Sequence, residues 1–147
     1  IIITKCPENL SENNRQHLIQ KINLKYNQHI FFSNIKYSNV LFSENNSINI
    51  SKLSNQKVDV ITGIVNSENL IKHLKDKGLL INHFKYPDHY NYKLKDISKI
   101  KENFVITTEK DYTKLRKFNV ENLYYLPITM EVLAEKTLLK ILEEKIS

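Results

Sequence analysis

VDVITGIVNSENLIKHLKDKGLLINHFKYP, residues 58–87, is the stretch that decides the fold. It opens on VDVITGI, an apolar run of the kind a strand buried on both faces needs. SENLIKHLKDKG follows as a helix, with Ser67 or Asn66 at its start and Gly78 as its C-terminal stop. LLINHFKYP is a second strand. Strand, helix and strand at this spacing predict an α/β layered fold with a mainly parallel sheet flanked by helices.

The pattern continues on both sides. Downstream, KLKDISKIK reads as a short helix and NFVITT as a strand running into the helix EKDYTKLRKF. Thr108 and Asp111 form an [ST]xx[DE] capping box there, so Thr108 opens that helix. NLYYLPI is a last strand and EVLAEKTLLKILEEK a last helix. Upstream, SENNSINISKLSNQK (43–57) is polar and without clear period, which predicts a loop and the best linker. HIFFS and YSNVLFS are extended runs. Ser11 caps a helix over about 12–25, on which Leu18, Ile19 and Ile22 make a stripe at helical spacing. The opening IIITKCP carries three isoleucines and no initiator Met. It reads as a buried strand already under way, and so predicts a segment of a longer protein.

With 147 residues and 41% hydrophobic composition, the chain can form one compact domain, or a smaller one plus part of a neighbour. A net charge of +6 suits a polyanion such as RNA, and a basic α/β binding module without catalysis is one function class it allows. The positive residues are almost all lysine, however, with Arg only at 15 and 116, and they alternate with acids as on solvated helix faces. No RNA-binding signature is present, so no nucleic-acid partner is expected. The lone Cys6 excludes an internal disulfide and a cysteine-based zinc site and suits a reducing compartment. No metal ligands are assigned within the chain. No apolar run approaches the ~20 residues that span a bilayer, which predicts a soluble segment.

In parallel α/β sheets ligands bind beyond the carboxyl ends of the strands, and TKCP, ITGIVNSEN, YPDH and TTEKD all fall at such ends. Thr62 and Gly63 join a strand to a helix whose free N–H groups suit an anion, although any tight turn there needs small residues. No GxxxxGK[ST] occurs, so this chain has no P-loop. Capping accounts for Asp111, whereas Glu109 and Lys110 are not needed for it and stand as candidates for an interdomain contact or a ligand. Asp88 and His89 follow Pro87 within a cluster of tyrosines, either as an ordinary turn or as half of an active site. Imidazole accepts or orients a proton near neutral pH, and an adjacent carboxylate fixes its tautomer. His17, His29, His73 and His83 have no such neighbour in sequence.

Taken in order, IIITKCPENLS, FFSNIKY, VDVITGIVNSENL, FKYPDHYNYKLKDI, FVITTEKDYTKL and NLYYLPI resemble the C-terminal half of the tetraacyldisaccharide 4'-kinase (lipid A 4'-kinase) family, over nearly the whole chain. The resemblance implies an ATP-dependent kinase that phosphorylates the 4'-hydroxyl of a tetraacyldisaccharide 1-phosphate lipid. It would work peripherally at the cytoplasmic face of a Gram-negative inner membrane. ATP and Mg2+ would be held mainly by a P-loop domain absent from this chain, and the membrane would be met through that missing part. By the same pattern residues 1–30 end the P-loop domain and 31–56 supply hinge strands and linker. Residues 57–121 form the C-terminal α/β domain, and 122–147 are a returning hinge strand and a final helix, so that FFSNIKY and LYYLPI make a two-stranded hinge. His89 matches the family's catalytic histidine, partner of an aspartate in the absent domain, and Asp88 would hold the loop or the imidazole. Lys5, after Thr4, sits where other P-loop proteins place such a pair against the nucleotide base. That is analogy at the level of the fold.

Overall fold

The computed structural model describes residues 1–7, 9–133 and 135–146. The chain divides into two compact units, Tyr37–Pro127 and a second made of Ile1–Lys36 with Ile128–Ser147.

The discontinuous unit holds β1 (Ile2–Cys6), α1 (Glu12–Ile22) and β2 (Phe31–Tyr37), to which the chain later adds a strand and a helix. Ser11 caps α1 by accepting a hydrogen bond from Asn14 N, and Asn23 ends the helix in the left-handed region, short of the expected residue 25. Leu18, Ile19 and Ile22 are only half-buried. β1 runs parallel to β2 with a bulge between Ile3 and Cys6. Within this chain β1 stands at the edge of its three-stranded sheet, with Ile1 and Ile2 50% and 46% exposed.

Tyr37–Pro127 contains β3 (Val40–Phe42), β4 (Ser47–Asn49), β5 (Lys57–Thr62), α2 (Glu68–Asp76) and β6 (Leu80–Lys85), followed by α3 (Leu94–Ile97), β7 (Val105–Thr108), α4 (Glu109–Leu115) and β8 (Leu123–Leu126). Its six strands lie in the order β4-β3-β8-β7-β5-β6. The four strands β8, β7, β5 and β6 are parallel, as the βαβ reading requires, and the β3–β4 hairpin is added antiparallel at one edge. Period-two alternation then fills both faces. Val58 and Val60 pack with Leu70 and Leu74 of α2 on one face, while Ile61 and Val105 pack with Leu115 of α4 and Tyr92 on the other.

Residues 43–57 are not a linker. They form β4 and a single 3-10 turn, Ile50–Leu53, whose two apolar ends are buried in the core. A polar surface masked a period too short to detect. Gly78 ends α2 with φ +85°, and a Cβ there would meet Ser54 Oγ at 2.7 Å, so both conformation and space call for glycine.

After β8 the chain enters β9 (Ile128–Val132) and α5 (Glu135–Ile146). β9 joins β1 and β2 in the order β1-β2-β9, and Leu133 N donates to Phe32 O at 2.8 Å. Of the two segments expected as hinge strands, FFSNIKY is β2, between β1 and β9, and LYYL of the other is β8, between β3 and β7.

Candidate functional site

Three of the four strand ends singled out in the sequence meet within Tyr37–Pro127. They are the turn after β5 at Gly63, the loop after β6 at Pro87–Tyr92, and the start of α4 at Thr108–Asp111. Adjacent parallel strands deliver their carboxyl ends side by side, so β7-β5-β6 brings the three together. TKCP belongs to the other unit.

Asp111 does more than cap. Its backbone N–H donates to Thr108 Oγ1 at 3.1 Å, as the capping box predicts, but its carboxylate turns elsewhere. Oδ2 accepts from Gly63 N at 2.8 Å and from the Thr108 hydroxyl at 2.8 Å. This buried carboxylate thus ties the β5 turn to the start of α4, across 48 residues of sequence. The Gly63 N–H is thus taken by an internal carboxylate. A Cβ on Gly63 would lie 2.8 Å from the Tyr92 hydroxyl and 3.0 Å from Asp111 Oδ1, so close packing also requires glycine here. Neither of those oxygens has a hydrogen-bond partner of good geometry among the described residues. Burial, and then the neighbouring Asp111 carboxylate, push the Tyr92 hydroxyl far above its ordinary range and keep it protonated.

Asp88 and Lys110 form an ion pair of 2.8 Å between the loop and α4. The Lys110 hydrogen bond is the main reason the Asp88 carboxyl lies below its ordinary value, with a smaller contribution from His89 N–H. Asp88 Oδ1 accepts that N–H at 3.0 Å, and Oδ2 lies 3.4 Å from His89 Nε2. His89 adopts φ +59° and its side chain is 78% exposed, so the imidazole is open to solvent.

A tyrosine stack backs that loop. Tyr86 and Tyr90 lie face to face with ring centroids 4.6 Å apart, and Tyr92 meets both edge-on. Asp96, only 3% exposed, anchors the stack by accepting from the Tyr90 hydroxyl and from Lys93 N. Burial raises the Asp96 carboxyl, but these bonds and the charge of Lys99 outweigh it and leave the group below its ordinary value. Asp96 and Tyr92 were missed in the sequence as site residues, as was Lys114, whose Nζ donates to Tyr90 O at 3.2 Å. An aspartate three residues into a short helix was the available signal for Asp96, since it closes that helix through Lys93 N.

The remaining candidates separate. Thr62 is fully buried, its hydroxyl 2.9 Å from His83 Nε2, which leaves its side chain no free edge for a ligand. Burial, then Lys85 and Lys75, hold His83 below its ordinary value. Glu109 is exposed in the first turn of α4. Lys5 is exposed at the β1 bulge of the other unit with φ +59°. The residues present do not fit a magnesium or triphosphate site. The chain has no GxxxxGK[ST] motif, and among the described residues no group of three or more His, Cys, Asp or Glu is placed to hold a metal ion.

All 147 residues match the family described as LpxK, tetraacyldisaccharide-1-P 4'-kinase. The tetraacyldisaccharide 4'-kinase of Flavobacterium psychrophilum is 36% identical over 138 residues, covering 87% of this chain and 39% of that protein. The enzyme of the same name from Bacteroides thetaiotaomicron is 28% identical, covering 90% of this chain and 42% of the relative. The chain thus spans about two fifths of the length of these relatives. A crystal structure of LpxK from Aquifex aeolicus in complex with ATP shares the fold at a TM-score of 0.56 and 22% identity, over 85% of this chain and 40% of that one.

Proposed function

The chain belongs to the tetraacyldisaccharide-1-P 4'-kinase family, and from that premise we propose that it serves an ATP-dependent transfer of phosphate to the 4'-hydroxyl of a tetraacyldisaccharide 1-phosphate lipid. The observation that carries this reading is the convergence of Gly63, Asp88-His89 and Lys110-Asp111 at neighbouring strand ends, joined by the 2.8 Å contacts Lys110–Asp88 and Gly63–Asp111. The ion pair from α4 fixes the Asp88 carboxylate, whose other oxygen lies 3.4 Å from the exposed His89 ring.

Phosphoryl transfer needs positioned reactants, neutralised phosphates and a group to receive the proton of the attacking hydroxyl. ATP supplies the phosphoryl group, and its phosphates with Mg2+ belong to the part of the enzyme outside this chain. His89 contributes to the proton step. With Asp88 beside it, the imidazole takes the hydroxyl proton or orients a carboxylate that does. Glu109, on the exposed first turn of α4, is a second polar group available to substrate, and Lys5 a candidate for contact with the nucleotide. The lipid disaccharide and a membrane surface are the partners, at the cytoplasmic face of a Gram-negative inner membrane. No helix among the described residues is long and apolar enough to cross that membrane.

Replacing His89 by alanine in the full-length enzyme and following phosphate transfer from ATP to lipid tests the assignment. Turnover is expected to fall by ~10² to 10⁴, the range of proton-transfer catalysis. A loss smaller than about threefold, far below that range, removes His89 from the mechanism.

A further inference from the structure

Lys110 has no capping duty, because Thr108 and Asp111 already close the start of α4. Its side chain crosses instead to the loop after β6, where Nζ donates to Asp88 Oδ1 at 2.8 Å. The same oxygen accepts from His89 N at 3.0 Å, while Oδ2 faces His89 Nε2 at 3.4 Å. The Asp88 carboxylate is therefore the one group that Lys110, the His89 backbone and the His89 ring all meet. An aspartate on an exposed loop ordinarily samples several rotamers. Two donors on one oxygen remove that freedom and leave the other oxygen aimed at the ring.

The loop needs such holding. A residue with a Cβ is strained in the left-handed region, so His89 at φ +59° persists where its surroundings fix it. One turn further along α4, Lys114 Nζ donates to Tyr90 O at 3.2 Å. Lysines four apart on a helix share a face. They take hold of the loop on both sides of His89, at residues 88 and 90.

We propose that Lys110 and Lys114 are positioning residues for phosphoryl transfer, a two-point clamp from α4 that sets the direction of the His89 imidazole through Asp88. The proposal rests on the kinase reading above and assigns Lys110 a role in place of the direct ligand contact open to it from sequence. Exposed ion pairs add little stability, so the effect of breaking this one falls on geometry and leaves the fold intact.

The test uses the full-length kinase with Lys110→Met, Lys110→Arg, His89→Ala and the double variant His89→Ala/Lys110→Met. With Lys110→Met, kcat is expected to fall about tenfold or more, as misplacement of a reacting group does, at unchanged KM for ATP and lipid and unchanged Tm. Lys110→Arg, which still donates to the carboxylate, restores most of that loss. In the double variant, Lys110→Met adds nothing to the loss from His89→Ala, because residues acting through one another are not additive. The clamp is overturned if Lys110→Met keeps kcat within twofold, raises KM alone, or multiplies the His89→Ala defect. Should His89→Ala itself prove silent, the kinase role of His89 falls and takes the clamp with it. A deep His89→Ala defect beside a silent Lys110→Met overturns the clamp alone.

Discussion

Residues 37–127 and the segments on either side of them are packed to different standards. In the central unit Leu41, Val58, Val60, Leu74, Ile106 and Leu115 are fully buried, and apolar clusters fill both faces of one sheet. In the flanking unit a three-stranded sheet leaves Ile1, Ile2, Ile128 and Met130 exposed. A cavity of about 330 Å³ opens there among Ile19, Phe31, Phe32, Leu133 and Ile141. Ser33 Oγ and Asn34 Oδ1 on β2 are buried without a hydrogen-bond partner among the described residues.

Hydrogen exchange on the chain measures this contrast most directly. Amides of β5 and β7 are expected to exchange at least about a hundredfold more slowly than those of β1 and α1, because local opening tracks buried apolar contact. Equal protection in both units would break the comparison. A pair of truncations sharpens it. Leu74→Ala in α2 is expected to cost about 3 kcal/mol in urea unfolding, within the range for fully buried leucines. Leu18→Ala on half-buried α1 should cost less than about 1 kcal/mol, since little apolar area is lost.

The smallest effect is one of pH. Asp96 has a folded pKa below its ordinary value of 3.8, so its contribution is present above that value and is lost as pH falls through the folded pKa. Melting followed by tyrosine fluorescence from pH 5 downward should therefore show the central unit weakening below about 3.8, with the flanking unit less affected. Asp96→Asn should flatten that dependence. An identical slope in the variant removes Asp96 as its source.

The sequence made the parallel strands and their helices legible because each carries its own apolar period and its own cap, from Thr108 at α4 to Gly78 beyond α2. It hid what depends on distant partners. Nothing near Asp111 foretells Gly63, because capping is a local pattern and their bond spans 48 residues. Thr62 looked free for a ligand, and its partner His83 lies one strand away. The burial of Ile50 and Leu53 was hidden by the serines and asparagines around them. His89 and Asp88 were found as a pair, whereas their tie to Lys110 required strand order.

The chain leaves the flanking unit after Lys36 and returns to it after Pro127, and Ser38 N donates to Pro127 O at 3.0 Å. The central unit is thus an insert whose two ends emerge side by side. Adjacent ends of this kind let a join of only a few residues close the cassette, so that an exchange between relatives would carry the histidine loop and α4 together.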